Sequence, residues 1–161
     1  MRRHDREITD RETMFDIMNR CDVCRLALNT GVGFPYIIPL NYGLAGTPEE
    51  PVLLFHSAPA GTKLDLIRKD RRASFEMDCC RELILTDNAD GTQMCSMTYQ
   101  SVIGQGYIEF IEDPEEKIAA LDLLVRRYRP EGINFSREVA MRTCVFRLKV
   151  KEMTAKQRPK K

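Results

Sequence analysis

Short runs in which apolar and polar residues alternate recur along this chain, and they restrict its fold more than any other sequence feature. A period of two is typical of β-strands with one buried face. The runs that predict strands in this way are Val23–Asn29, Pro35–Tyr42, Ala73–Met77, Met94–Tyr99, Val102–Ile111 and Cys144–Val150, and the continuous apolar run Val52–His56 predicts one more. An antiparallel sheet avoids open edges by closing on itself. Six or seven strands with few helices therefore favour a mainly β fold, a β-barrel or rolled sheet with helices at its ends.

Helical patterns are few, and each begins at a recognisable cap. Thr9 and Glu12 have the spacing of a capping box, and Asp113 precedes a proline at the first helical position. Ser136 is a third candidate cap, and residues 64–70 form a short apolar-periodic helix pattern.

Pro39 lacks the amide that a central strand would use, which predicts an edge or a bulge there. Residues 43–51 read as a loop, and residues 79–93 as an insertion lying over the surface.

The length of 161 residues fits one domain with a real core, since 43% of the residues are hydrophobic and 30% are charged. We predict a domain over residues 1–150 and a basic, solvated tail over residues 151–161. Lysine and arginine number 25 against 24 acidic residues, so the net charge is +1. This balance predicts no nucleic-acid partner.

The chain shows no signal peptide and no apolar run long enough for a membrane span, so we expect a cytoplasmic protein without a membrane partner.

Its six cysteines are expected to be reduced thiols in that compartment. Cys21 and Cys24 have a redox or zinc spacing, but they follow a helix and enter a strand, which removes the helix dipole that activates a thiol. Cys79 and Cys80 have no spacer, and extended geometry would direct their sulfurs to opposite faces. No metal site is predicted.

The segment Phe55–Leu64 passes from a strand through a turn of small residues into a helix. A helix N-terminus presents unpaired amides and partial positive charge to an anion. Ser57 and Thr62 add hydroxyls and Lys63 adds a full charge, so the turn is a candidate phosphate site. An ordinary strand-to-helix turn, with Thr62 as the cap and Lys63 in solvent, is the alternative. The segment is not a Walker loop, because the second glycine and the Gly-Lys-Ser/Thr ending are missing.

His56 lies at the edge of this turn, and its residue type allows either a structural or a catalytic role. The segment Tyr99–Gly106 joins a hydroxyl, an amide and two glycines, which is compatible with a planar ligand or with a simple bend.

Five ordered blocks resemble the nitroimidazole-resistance proteins, a family within the pyridoxamine 5′-phosphate oxidase-like flavin-binding split barrels. The blocks are Arg2–Asp10, Arg25–Ala27, Pro35–Gly43, Phe55–Lys63 and Tyr99–Gly106. The resemblance implies a six-stranded antiparallel split barrel of the FMN-binding type. It also implies a homodimer with FMN in a cleft at the interface between the two subunits.

The same resemblance implies a role for each residue that matches the blocks. Pro39, Leu40 and Asn41 would run beside the flavin ring. The phosphate would be held by Ser57, Gly61, Thr62 and Lys63. His56 matches the histidine beside the flavin and would be catalytic, and Tyr99, Ser101 and Val102 would complete the pocket. Gln100 stands where relatives often have arginine.

The function that the resemblance implies is an FMN-dependent oxidoreductase. It would pass electrons from a reduced nicotinamide to a small acceptor such as a nitroimidazole or another nitro-aromatic compound. Two alternatives stay open at this point: a flavin- or haem-binding sensor or carrier without turnover, and a reductase that uses a deazaflavin.

Overall fold

The computed structural model describes residues 3–159, which form antiparallel β-structure with four helices at its margins. Met1, Arg2, Lys160 and Lys161 lie outside the described residues. The helices are α1 (Arg11–Arg20), α2 (Thr62–Lys69), α3 (Pro114–Tyr128) and α4 (Arg137–Arg142), and a 3-10 turn covers His4–Arg6. The strands are β1 (Glu7–Ile8), β2 (Cys24–Leu28), β3 (Tyr36–Leu40), β4 (Gly43–Gly46), β5 (Pro51–Ser57), β6 (Arg72–Cys79), β7 (Leu83–Asp87), β8 (Gln93–Met97), β9 (Tyr99–Ile111) and β10 (Cys144–Arg158).

The two longest strands, β9 and β10, pair with each other and form the middle of the sheet. Seven strands follow the order β3-β2-β6-β9-β10-β5-β4, and β1 pairs with β10 beside them. Two strands pair along one edge of β10: β5 pairs with its first half and β1 with its second half. The two ends of the path are β3 and β4, which only Asn41 and Tyr42 separate in the chain. The sheet therefore curls until its edges meet at this short link, as in a split barrel.

Apolar side chains from both halves of the curled sheet fill its interior. Strands alternate between buried and exposed residues, as a period of two requires. The largest fully buried side chains include Tyr42, Phe55, Phe75 and Phe146, and the rings of Phe55 and Phe146 stack at 5.3 Å between centroids. A second apolar cluster lies where α3 and α4 cover β5 and β10. No helix among residues 3–159 combines the length and the apolar character needed to cross a membrane.

Arg127 on α3 ties that helix to the end of α1. Its guanidinium donates to the carbonyl oxygens of Met18, Asn19 and Cys21, and to the Tyr42 hydroxyl at 2.8 Å. It also lies over the Tyr42 ring at 4.2 Å from the centroid. These bonds satisfy the carbonyl groups that the end of a helix leaves unpaired.

The prediction of a mainly β protein with flanking helices is confirmed, and the strand count is larger than the predicted six or seven. Residues 43–46, read as a loop, form β4, because their backbone pairs with β5. Residues 79–93 hold β7, which forms a two-stranded hairpin with β8 outside the main sheet. Pro39 lies on β3, which is an edge strand as predicted.

Two other expectations need correction. The segment 151–161 is not a solvated tail up to Arg158, because β10 continues through it and buries Met153 and Ala155. The cap of α1 is Asp10 and not Thr9, since the Asp10 carboxylate accepts the Thr13 amide at 2.9 Å. The predicted caps Asp113 and Ser136 are confirmed.

Candidate functional site

The turn between β5 and α2 leaves the start of that helix without a side-chain cap. Gly61 is the N-cap residue and has a φ of 137°, a conformation that residues with a side chain rarely adopt. The Leu64 and Asp65 amides donate to the Gly61 carbonyl oxygen. The amides of Thr62 and Lys63 are therefore the ones that the first turn leaves for a ligand. Thr62 does not act as the cap, so the ordinary capped turn considered from the sequence is not what forms.

Lys63 brings an uncompensated charge to the same place. Within the described part of the chain it forms no ion pair, and its side chain is half-buried. Its positive charge acts to lower the pKa of both His56 and Cys144. Partial desolvation of the ring is the larger cause and the positive charge of Lys63 the smaller one of a lowered pKa at His56, whose side chain stays exposed. The site is thus electropositive while its histidine is neutral at neutral pH, a combination that suits a bound anion.

Ser57 and His56 end β5 beside the first residues of β10. Ser57 pairs with Cys144, and His56 pairs with Val145. The Ser57 hydroxyl donates to the carbonyl oxygen of Ala58 at 2.7 Å, so its hydrogen is engaged within the turn. The hydroxyl oxygen can still accept a bond, and a small rotation would direct its hydrogen elsewhere.

The end of β3 lies on the same side of the barrel as this turn. Gly43 on β4 pairs with Leu54 on β5, and the two strands are antiparallel. Asn41 precedes Gly43 by two residues and His56 follows Leu54 by two. Asn41 and His56 therefore lie at the same end of this strand pair. The register thus places the end of β3 and the start of the β5–α2 turn at the same end of the barrel.

Tyr99, Ser101 and Val102 lie elsewhere, at the first end of β9. Val102 is fully buried in the core, which leaves only its backbone for a ligand. The Tyr99 hydroxyl accepts a bond from Arg6 at 3.3 Å. Ser101 is half-buried and pairs with Asp78 on one side and with Lys156 on the other.

The two predicted groups are far apart within one chain. Ser57 pairs with Cys144 and Ser101 with Lys156, twelve positions further along β10. At about 3.3 Å per residue, this is roughly 40 Å along the strand. Within one copy of the chain this length of β10 lies between the β5–α2 turn and Ser101.

Comparison with known proteins assigns the fold to a family. Residues 10–157 match the family model described as pyridoxamine 5′-phosphate oxidase. The chain belongs to the pyridoxamine 5′-phosphate oxidase family. No curated protein sequence matches it.

Several solved structures have a fold similar to that of this chain. A candidate 5-nitroimidazole antibiotic resistance protein of Bacteroides thetaiotaomicron has 27% identity and a TM-score of 0.82, over 94% of this chain and 86% of that one. The flavocytochrome Anf3 of Azotobacter vinelandii has 18% identity and a TM-score of 0.80, over 99% of this chain and 72% of that one. The FAD and haem binding protein of Mycobacterium smegmatis has 20% identity and a TM-score of 0.80, over 96% of this chain and 74% of that one.

Two features of this member of the pyridoxamine 5′-phosphate oxidase family were not predicted from its sequence. The Gln100 side-chain oxygen is buried and has no hydrogen-bond partner among residues 3–159, although the amide nitrogen donates to Gln157. A buried acceptor of this kind is a position where a ligand or a water molecule donates. The second feature is a groove of about 430 Å³ on the outer face of the sheet, lined in part by Arg72, Tyr107 and Lys151.

The cysteines of this family member form no metal centre in the described residues. Cys21 and Cys24 are buried, and burial raises the pKa of both thiols. The expectation that the sulfurs of Cys79 and Cys80 diverge is wrong. Cys80 leaves the strand with a φ of 61°, and the two sulfur atoms lie 3.5 Å apart.

Proposed function

We propose that this protein is an FMN-dependent oxidoreductase that passes electrons from a reduced nicotinamide to a small acceptor such as a nitroimidazole or another nitro-aromatic compound. The observation that carries the proposal is the uncapped start of α2 with the unpaired Lys63 in its first turn. The sequence similarity to the Bacteroides thetaiotaomicron protein supports the choice of acceptor.

The β5–α2 turn fits a terminal phosphate. Amides of Thr62 and Lys63, the Thr62 hydroxyl and the Lys63 ammonium group would donate to its oxygens. A Cβ built on Gly61 meets nothing within 4 Å, so there is open space above the turn. Charge-assisted hydrogen bonds contribute about 1.5–3 kcal/mol each, which is enough to select a phosphate-bearing flavin. Because this turn would close around a terminal phosphate, FAD should bind more weakly than FMN.

The edge strand β3 would hold the flavin ring. Pro39 and Asn41 are exposed, and Leu40 is half-buried. Among residues 3–159, β3 pairs with β2 alone, so the backbone groups on its other edge can meet the polar edge of a ring. Bound FMN would supply hydride acceptance from a nicotinamide and electron donation to an acceptor.

His56 would serve the acceptor. It lies next to the turn and at the same end of the β4–β5 pair as Asn41, and its lowered pKa keeps the imidazole neutral at neutral pH. A neutral ring has one nitrogen that donates and one that accepts, so it can orient a nitro group and release a proton as that group is reduced.

A second copy of the chain would complete the site with Tyr99, Ser101 and the Val102 backbone. The separation of these residues from the turn within one copy supports this arrangement. The outer face of the sheet also exposes large apolar side chains, with Ile37 65%, Ile103 56% and Tyr107 48% accessible. We expect a homodimer whose interface exceeds about 2,000 Å², the range of obligate dimers.

The absorbance spectrum of the purified protein, followed by turnover with NADH or NADPH and a nitro-aromatic acceptor, tests this proposal. We expect the spectrum of an oxidised flavin, release of FMN on denaturation, and oxidation of the nicotinamide that depends on the acceptor. A haem spectrum, a deazaflavin spectrum, or bound flavin that never turns over would each contradict the proposal. Light scattering should give a mass near twice 18.6 kDa.

A further inference from the structure

Two neighbouring thiols lie at the end of β6, where Cys79 pairs with Gln100 beside the segment that holds Tyr99 and Ser101. Cys79 is the last residue of β6, and Cys80 follows it in the left-handed backbone region. In an extended strand successive side chains point to opposite faces. The φ of 61° at Cys80 breaks this alternation and brings its sulfur to 3.5 Å from that of Cys79.

Thr98 holds the backbone that sets this geometry. Its hydroxyl donates to the Cys80 carbonyl oxygen at 2.7 Å and accepts from the Glu82 amide at 2.8 Å. Its own amide donates to the Glu82 carbonyl oxygen at 2.8 Å. Thr98 is one of the few buried polar residues of the chain. The turn that carries Cys80 is thus fixed from inside, and the two thiols are preorganised as a pair.

The pair is open to small molecules from the surface. Cys80 is exposed and Cys79 is half-buried. A surface depression of about 380 Å³ leads to them and is also lined by Val23, Arg25 and Asp78. Behind Cys79 lies the buried thiol of Cys21, which hydrogen-bonds to it. The remaining cysteines are Cys24, which is buried, Cys95, which is exposed on β8, and Cys144, which is half-buried on β10.

We propose that Cys79 and Cys80 form a dithiol binding site for thiophilic ligands of the trivalent-arsenical class, which bind two sulfurs at once. In the binding step, an organoarsenic oxide exchanges its oxygen for the two sulfurs. Two S–H bonds and the arsenic–oxygen bonds are lost, two arsenic–sulfur bonds form, and the oxygen leaves as water with both protons. No electrons are transferred, so no oxidant is required.

Preorganisation explains why this pair is selective. The second sulfur meets the arsenic at a high effective concentration once the first has bound, whereas a single thiol gains nothing from a reagent that needs two. Burial raises the pKa of Cys79, which leaves its thiol protonated at neutral pH and able to supply one of the protons that depart with the oxygen.

The test uses phenylarsine oxide with the full chain under reducing conditions, and measures intact mass and the number of free thiols. We expect one phenylarsenic group per chain, with two thiols lost and both recovered on addition of a small dithiol. Cys80→Ser should weaken binding by at least about tenfold, because only one thiol of the pair is left. Cys80 is exposed, so this variant is expected to fold. Cys79→Ser should behave in the same way.

Cys95→Ser and Cys21→Ser are the matched controls, and both should bind as the wild type does. The proposal is wrong if Cys80→Ser retains wild-type affinity. It is also wrong if Cys21→Ser removes binding while Cys80→Ser does not, because the site would then be the buried Cys21–Cys79 pair. The readout is the number of bound arsenic groups and free thiols rather than turnover, so failure of this proposal is distinguishable from failure of the proposed enzymatic function.

Discussion

Ser57 and Ser101 lie against opposite ends of the same strand, β10, the first beside Cys144 and the second beside Lys156. Both are predicted to contact one cofactor. A flavin mononucleotide is far shorter than the roughly 40 Å of strand between these positions. The separation is therefore the structural reason to expect two copies of the chain around each cofactor.

Loss of the Lys63 charge should weaken FMN binding. We expect Lys63→Ala to raise the dissociation constant by at least tenfold, or about 1.4 kcal/mol, because it removes the full positive charge from the helix start. Lys69→Ala is the matched control, since it removes the same charge from the exposed last turn of the same helix. Calorimetric titration with FMN checks both variants. Equal effects of the two substitutions would contradict a phosphate site at the turn.

His56→Ala separates catalysis from binding. If His56 serves the acceptor, the variant should keep its FMN and reduce a nitro-aromatic acceptor about 10²–10⁴ times more slowly, the usual contribution of a positioned proton donor. Reduction of the flavin by a nicotinamide should change little. Stopped-flow measurement of the two half-reactions checks this. A structural histidine would instead lower thermal stability and flavin occupancy together.

The lowered pKa of His56 also predicts a pH effect on stability. The ordinary histidine pKa is about 6.5, and the folded protein holds that of His56 below it. The unfolded chain therefore binds the proton more readily, so this residue's contribution is complete above about pH 6.5 and is lost as the pH falls through the lower folded pKa. Chemical denaturation of wild type and His56→Gln at pH 7 and pH 5 should show a smaller loss in the variant. His4→Gln is the control, and an equal loss in wild type and His56→Gln would contradict the expectation.

Gly106 is required for the close pairing of β9 and β10. A Cβ at this position would lie 2.0 Å from the Lys149 carbonyl oxygen, next to the register shift between Val150 and Glu152. We expect Gly106→Ala to lower the free energy of unfolding by at least about 2 kcal/mol, because the contact is with backbone and cannot be relieved by a rotamer change. Gln105→Ala, on the exposed side of the same strand, should stay within about 0.5 kcal/mol. Urea denaturation compares them, and similar midpoints would refute the prediction.

Local signals were sufficient for several elements of the fold. Asp113 followed by proline begins α3, and Ser136 begins α4, because each cap depends only on residues within one turn. At α1 two candidate caps are adjacent, and the side chain of Asp10 rather than that of Thr9 accepts the Thr13 amide. Sequence spacing alone does not separate two such neighbours.

Other elements depend on partners distant in the chain. Residues 43–46 have little strand propensity, and they become β4 only because β5 lies beside them. Residues 151–158 are rich in charged side chains, so their alternation of buried and exposed residues is hard to recognise in the sequence. In the fold this alternation buries Met153 and Ala155 against β9 and β1. At Cys80 a positive φ reverses the expected direction of a thiol. The same holds for the predicted site. The turn at Ser57–Lys63 could be predicted because it depends on local residues, whereas its distance from Ser101 depends on the register of β10.

The most direct test of the shared flavin site is FMN titration of a heterodimer in which each subunit carries a different defect. One subunit would carry Lys63→Ala and the other Ser101→Trp, whose indole ring has room in the open surface pocket beside Ile103 and Thr154. Each homodimer should bind FMN weakly. The heterodimer, isolated with two different affinity tags, should bind about one FMN at wild-type affinity, because a two-fold interface leaves one site with both halves intact. A heterodimer that binds as weakly as its parents, or a Ser101→Trp homodimer that binds normally, would contradict a site built from two copies.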